Sequence, residues 1–489
     1  MKPSVLILWN QVEEDIYEHW RAQGPKPLPW DPERTVPDVG TVAEEMARIV
    51  AAVRLVAERV WLVNIEDDLD RIIAAVRLYR PDVVMNLIEF FHDDASLEAH
   101  VAGLYELLGV AYTGSEPFAL ALCQNKYRTK LLLEAAGLPT SPYVLIEREP
   151  VPRDHELEFP LIVKPALEDA SGGIEEASVV HDQAGLEARV SQVLKEFKMP
   201  ALVEEYVDGR EIHAAILGRT PPEVLPLFEM EFDDSEFNPD EEWRPQIISY
   251  RAKWDPHSPD FYSMEGTCPA QELDPELEEY IREVAAEAFK AVGCRDYARI
   301  DMRVDEEDGE AYILEVNPNP DLSDGAAYME CATASGRSFE QTIAEIIDMA
   351  WQRVRRARAQ HSAQPTVAAG LPSDHLLREW VVQKRTGHQD VLPMAGGPSV
   401  ESLLREGQVQ TGDAEAGGAG DVDTLGTGVE RGSADADERE PDPAAAKPRA
   451  QGSDTQAKGA TEAGDEPAGR PRDSGHAPEP GHEQDPPGQ

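Results

Sequence analysis

Basic residues are scarce in this chain. Of its 489 residues, 45 are Lys or Arg and 94 are Asp or Glu, for a formal net charge of -49. A general nucleic-acid or anionic-membrane binder is therefore excluded, because either partner would be repelled, and any phosphate site has to be local. Cysteine is scarcer still. Cys123, Cys268, Cys294 and Cys331 are the four present, with no CxxC pair among them, which fits reduced thiols better than a disulfide framework or a zinc site. No apolar run approaches the roughly 18 residues of a membrane span, and Met1–Trp9 is too short and strand-like for a signal peptide. These absences predict a soluble, cytoplasmic protein. Large apolar residues also run out along the chain, with Ile347 the last isoleucine and Trp380 the last aromatic. Beyond about residue 410 the composition cannot bury enough apolar surface to offset ordering entropy, which predicts a disordered acidic tail.

What remains is ordered in pattern. Val5–Trp9, Trp61–Ile65 and Val83–Leu87 are short apolar runs separated by helical patterns over Val42–Glu58 and Leu69–Tyr79. Strand and helix in alternation predict a small parallel α/β domain over residues 1–118, with a helix over Ser96–Leu108 ending at Gly109. A helical pattern then runs from Pro117 to Ala136, followed by strands at Tyr143–Ile146, Leu161–Lys164 and Ser178–Val180 and a helix over Gln183–Phe197. Further strands are expected at Ala201–Tyr206, Glu211–Leu217, Val224–Phe232, Tyr297–Val304 and Ala311–Val316, with a long helix over Pro275–Val292. Strand-rich segments broken by a few helices predict α+β lobes, here 119–200 and 201–356, with 357–489 as linker and tail.

The most informative segment is the hairpin Tyr297–Val304, Asp305–Glu310 and Ala311–Asn317, whose Asp308-Gly309 pair is a strong turn signal. Side chains alternate along a strand, so Arg299, Asp301 and Arg303 share one face. The same parity groups Glu315 with Asn317, opposite Tyr312, Leu314 and Val316. Folding the apolar faces together brings Asp301, Glu315 and Asn317 beside Arg299. Three oxygen-bearing side chains suit Mg²⁺, a hard ion that completes its shell with water and phosphate oxygens. An adjacent arginine can stabilise a transferring phosphoryl group. An ordinary hairpin with a solvated polar face would also satisfy the alternation; the stiff turn Pro318-Asn319-Pro320 that follows argues for fixed ligands.

A second cluster lies upstream. Pro160-Leu-Ile-Val-Lys164 is a buried strand pattern ending in lysine, followed by the Ser-Gly-Gly loop at 171–173. Such a lysine places a cation on phosphate oxygens while the loop's N–H groups fold over them, although a surface lysine beside a plain turn has the same sequence.

Arg-Ile-Asp (299–301) and Leu-Glu-Val-Asn-Pro-Asn-Pro (314–320) resemble the metal-binding hairpin of ATP-grasp enzymes. The order of the surrounding segments, across about residues 83–350, resembles the D-alanine:D-alanine ligase branch. The resemblance implies an ATP-grasp fold with an N-terminal parallel α/β domain, and an ADP-forming carboxylate–amine ligase that works through an acyl phosphate. It implies ATP as cofactor, with Mg²⁺, or Mn²⁺ in its place, on Asp301, Glu315 and Asn317. Lys126 and Lys164 would bind phosphates. The segment Ala201–Glu211 would receive adenine and ribose through Glu204, the backbone of Glu205, Tyr206 and Val207, and Glu211. Tyr250–Trp254 resembles the strand whose lysine, here Lys253, contacts the transferred phosphate. Arg299 and Ser171 complete the implied catalytic set. Small amino acids or peptides would be the substrates, with neither nucleic acid nor membrane as partner, and a homodimer is compatible.

The sequence departs from the family in three places. The N-terminal Gly-Gly-x-Ser-x-Glu segment is replaced by Trp9–Asp15, where Glu13 or Glu14 could supply the carboxylate; the loop serine aligns with Ala170, beside Ser171; and a later substrate serine aligns near Ala326. Substrate identity stays open between the D-alanine:D-alanine ligase of cell-wall synthesis and a relative acting on another amino acid or peptide. A non-catalytic ATP-binding module is the reading from another class.

Overall fold

The computed structural model describes residues 2–12, a few positions between 21 and 35, and 40–363 apart from 219, 233–243 and 306–308. The expectations for Glu13 and Glu14, for Asp308 in the hairpin turn and for the acidic tail fall outside the described residues.

The first sheet is formed by β1 (Ser4–Trp9), β2 (Arg59–Asn64), β3 (Val83–Leu87) and β4 (Ala111–Tyr112). All pairs are parallel, in the order β2-β1-β3-β4. The crossovers are α1 (Val42–Val56), α2 (Leu69–Tyr79) and α3 (Glu98–Leu108). Val5 to Leu8 are fully buried, as expected of a parallel strand covered on both faces. Val5 and Ile7 pack with Ile49 and Val53 of α1, while Leu6 and Leu8 pack with Ile72 of α2 and Tyr105 of α3. Thr41 and Glu44 cap α1 reciprocally. Gly109 ends α3 in the left-handed region, at φ 69°, a conformation that glycine adopts without steric cost.

The chain then turns through α4 (Pro117–Gln124) and α5 (Lys126–Ala135). The single helix expected over Pro117–Ala136 is thus two. Asn125 leaves helical geometry at φ -97°, ψ 90° and its side chain accepts the Arg128 N–H, so a local cap interrupts an otherwise continuous pattern. The second sheet contains β5 (Tyr143–Ile146), β6 (Leu161–Pro165), β7 (Val179–Val180) and β8 (Ala201–Glu205), antiparallel in the order β5-β8-β6-β7. Helix α6 (Gln183–Glu196) packs on it through Leu186, Val190 and Val193. β8 lies past the expected division at residue 200 yet pairs with β5 and β6.

The third sheet comprises β9 (Gly209–Gly218), β10 (Glu223–Val224), β11 (Phe228–Phe232), β12 (Met264–Thr267), β13 (Asp296–Asp305) and β14 (Ala311–Asn317). Its main order is β12-β11-β9-β13-β14, with β10 beside β9. The strand expected over Val224–Phe232 is broken at Leu225–Leu227, where Leu225 and Leu227 turn into the core. Short α7 spans Tyr250–Trp254, followed by α8 (Pro275–Val292), α9 (Ala327–Ala334) and α10 (Phe339–Ala363). The strand expected at Tyr250–Trp254 is therefore one helical turn. Ser249 caps it, and only Ala252 is buried while Tyr250 and Trp254 stay exposed, so no sheet face covers the alternating aromatics. The boundary expected at 356 falls inside α10.

One core fills the space between α8 and the third sheet. Another joins the opposite face of that sheet to the first sheet, through Tyr297, Tyr328, Ile343 and Ile347. This packing turns the C-terminal ends of β1 and β3 toward the third sheet. Trp9 and Leu87 open there onto a cleft, the usual ligand position in a parallel α/β layer.

Candidate active site

The cleft has a volume of about 1060 Å³, and all thirteen residues singled out from the sequence line it. The first α/β layer contributes Glu89, just past β3, and Glu98, at the start of α3; the second sheet and its exit contribute Lys164 and Glu204–Val207, and the third sheet Glu211, Arg299, Asp301, Glu315 and Asn317; Ser171 and Lys253 stand on the remaining wall.

In the hairpin, Asp301 lies opposite Glu315 and Arg299 opposite Asn317. The register shifts after Asp301, so that Met302 pairs with Ile313 and Leu314 is an extra residue. This bulge corrects the strict alternation expected along β14. Ala311, Ile313 and Val316 enter the core, whereas Tyr312 and Leu314 do not, and Leu314 lines the cleft. Unbroken alternation would have exposed Ile313. The bulge buries it and still leaves Glu315 and Asn317 on the cleft face.

Both carboxylates are matched by cations. Arg299 grips Asp301 through two hydrogen bonds of 2.7 Å, and Lys126 donates to Glu315 at 2.7 Å. The Lys126 ammonium holds the Glu315 carboxyl well below the usual range. Burial opposes the charge on Arg299, and Asp301 more than restores it, so Arg299 is held cationic. Among the described residues no three His, Cys, Asp or Glu side chains converge as a ready-made metal cluster. The oxygen-only set of Asp301, Glu315 and the Asn317 carboxamide nevertheless suits a hard divalent ion, whose remaining ligands are water and phosphate.

Toward the second sheet, Glu204 is 1% exposed and meets two ammonium groups, Lys130 at 2.8 Å from Oε1 and Lys164 at 2.5 Å from Oε2. Burial pushes this carboxyl up, and the two lysines more than reverse the effect, holding it at about 2. Glu204 itself lines the cleft, where its carboxylate offers an acceptor for an exocyclic amine such as that of adenine. Glu211 accepts from Arg303 at 2.8 Å and meets His213 at 3.2 Å. Its burial raises the carboxyl, and Arg303 and His213 reverse that.

The 168–174 loop carries Ala170 and Ser171 in the left-handed region, at φ 50° and 62°, a strained conformation for residues with a Cβ. Gly173 sits at φ 70°, where an added Cβ would lie 2.6 Å from the Phe197 ring. Trp254 donates its indole N–H to Ala170 O at 3.0 Å, and Tyr250 N bonds Ile174 O. Helix α7, with Lys253, is thereby fastened to the loop.

Comparison with known proteins accounts for this arrangement. The D-ala D-ala ligase C-terminus family model matches residues 132–348. A D-alanine–D-alanine ligase of Desulforudis audaxviator is 32% identical over 266 residues, which cover 54% of this chain and 80% of that protein. The chain belongs to the D-alanine–D-alanine ligase family. The uncharacterized protein y4sG of Sinorhizobium fredii is 35% identical over 275 residues, 55% of this chain and 75% of that one. In structure, the D-alanine–D-alanine ligase of Bacillus anthracis, solved in complex with ATP, superposes with a TM-score of 0.53 at 20% identity over 73% of this chain and 99% of that one. The D-alanine–D-alanine ligase family shares the ATP-grasp fold and ATP-dependent, ADP-forming ligation of a carboxylate to an amine, and that is the activity class of this chain. The family generally uses Mg²⁺ with ATP. No described helix is long and apolar enough to cross a membrane.

Sequence reasoning missed two cleft groups, Arg303 and Glu89, and Lys130 in the wall behind them. Lys130 follows Lys126 by four residues on the buried stripe of α5, next to Leu133, and a lysine in an apolar stripe is the signal that could have found it. Arg303 was placed on the Arg299 face without a role. Glu89 follows β3 with no motif around it; its carboxylate has no hydrogen bond or ion pair among the described residues.

Proposed function

We propose that this ligase joins an amino acid or short peptide to an amine, with ATP held over the second and third sheets and the substrates toward the first. The observation that carries this reading is the cross-strand pair Asp301 and Glu315, which faces the same cleft as Lys126, Lys164 and Glu204.

In this reading Glu204 Oε1 accepts from the adenine amine, Glu205 to Val207 offer backbone groups to the base, and Glu211 takes the ribose hydroxyls. Lys126, Lys164 and Lys253 neutralise phosphate oxygens. Asp301, Glu315 and Asn317 would hold Mg²⁺, which would supply positive charge against the phosphate oxygens. A substrate carboxylate oxygen attacks the γ-phosphorus and ADP leaves; Arg299 stabilises the transferring group and the resulting acyl phosphate. The amine, having shed a proton to expose its lone pair, then attacks the acyl carbon and expels phosphate. Positioning and charge neutralisation supply the rate, so no protein nucleophile is needed. Ser171, on the strained loop, lies within the cleft where phosphates and substrate would meet. The unpaired Glu89 carboxylate suits a substrate ammonium, standing in for the family's N-terminal glutamate. The protein acts in the cytosol.

The test is ADP and phosphate release with panels of D- and L-amino acids and dipeptides, for the parent and for Asp301→Ala. Release that depends on a specific pair and is lost in the variant supports the reading; release unchanged by the substitution overturns it.

A further inference from the structure

The cation count around Glu204 is uneven. One carboxylate, 1% exposed, faces two ammonium groups, and they are not equivalent. Lys164 lines the cleft, whereas Lys130 does not and is 2% exposed behind it. Lys130 is anchored on its far side by the hydroxyls of Thr140 and Ser141, and its ammonium stands 5.5 Å from the Tyr143 ring centre. One lysine is therefore fixed in the wall while the other can reach a ligand.

We infer that Lys130 is a positioning residue for nucleotide binding: it stays on Glu204 as the permanent counter-ion, so that Lys164 can leave that carboxylate for the phosphates. This rests on the proposed phosphate role of Lys164. Stripping a buried carboxylate of its only cation is strongly unfavourable. With Lys164 as sole partner, ATP would have to break that pair; with Lys130 in place the pair persists and the surplus positive charge is available to the ligand. The arrangement also explains the spacing of the two lysines in α5. Lys126 and Lys130 are one turn apart on one helix face, the first on Glu315 of the third sheet and the second on Glu204 of the second. A single helix thus carries the lysines that pair with carboxylates on two sheets.

The test uses the full chain and two probes, ATP and adenosine, with binding measured by calorimetry and ligand-observed NMR. Lys130→Met is expected to weaken ATP about tenfold or more, through Lys164 held on Glu204, and to leave adenosine within about twofold. Equal weakening of ATP and adenosine by Lys130→Met, or unchanged affinity for ATP, overturns the inference. Should Lys130→Met fail to fold, Lys130→Arg carries the test: it keeps the charge and is expected to hold ATP affinity within about threefold, and a tenfold loss at unchanged thermal stability refutes the role. Lys164→Met is the separate control. If it leaves ATP affinity intact, the phosphate role of Lys164 fails on its own account, independently of how Lys130 behaves.

Discussion

The two ends of the cleft treat charge in opposite ways. At the nucleotide end four carboxylates are matched by cations: Asp301 with Arg299, Glu315 with Lys126, Glu204 with Lys130 and Lys164, Glu211 with Arg303. At the first-sheet end Glu98 is held by the Asn319 carboxamide at 2.7 Å, and Glu89 has no partner among the described residues. Glu89 is open to water on its cleft side and walled in elsewhere; that enclosure and the nearby Asp321 and Asp169 push its carboxyl up to about 8. Burial and the neighbouring Glu89 likewise push Glu98 up. Paired charges at one end are a store of cations that a polyanion can recruit by exchange. Unpaired acids at the other end lack only an incoming cation.

The comparison can be broken at either end. The largest effect is expected from Asp301→Ala, which removes a proposed metal ligand and frees Arg299 from its bidentate hold; turnover should fall about a hundredfold or more, read as phosphate release under saturating ATP. Lys126→Met leaves Glu315 buried without its cation, and ATP affinity should drop about tenfold or more by calorimetry, with loss of thermal stability. Glu89→Gln should act on the amino-acid side only, raising the KM of the carboxylate-donating substrate, whose ammonium it would hold, roughly tenfold while the KM of ATP stays put. If ATP shifts and that substrate does not, the division of the cleft into two ends is wrong. The smallest effect is on stability. Between its ordinary value near 4.5 and about 8, Glu89 is protonated in the folded chain and ionised in the unfolded one. The folded state binds the extra proton, so this group makes stability fall as pH rises through that window. Glu89→Gln should flatten the decline, seen as a smaller gap between unfolding midpoints at about pH 5 and about pH 8; an unaltered gap would show that Glu89 titrates normally.

Much of this was legible in the sequence where a pattern was long and regular. Leu69–Tyr79 and Pro275–Val292 have their expected bounds, because amphipathic period and caps agree there. The set of cleft residues was legible too, since oxygen and cation side chains at alternate positions survive folding as a face. What failed was local and set by neighbours. A side-chain cap at Asn125 splits a helix whose pattern reads through it, and the extra residue at Leu314 turns Ile313 inward. Tyr250–Trp254 alternates like a strand but has no sheet to pair with. Lys130 and Glu89 carry no motif because their meaning depends on partners far along the chain, Glu204 for one and an absent cation for the other.

The bond from the Trp254 indole to Ala170 ties two mechanical parts together. A loop whose backbone is already strained cannot relax or close without dragging the turn that bears Lys253. A displacement of residues 170–173 would therefore also be felt at that ammonium group.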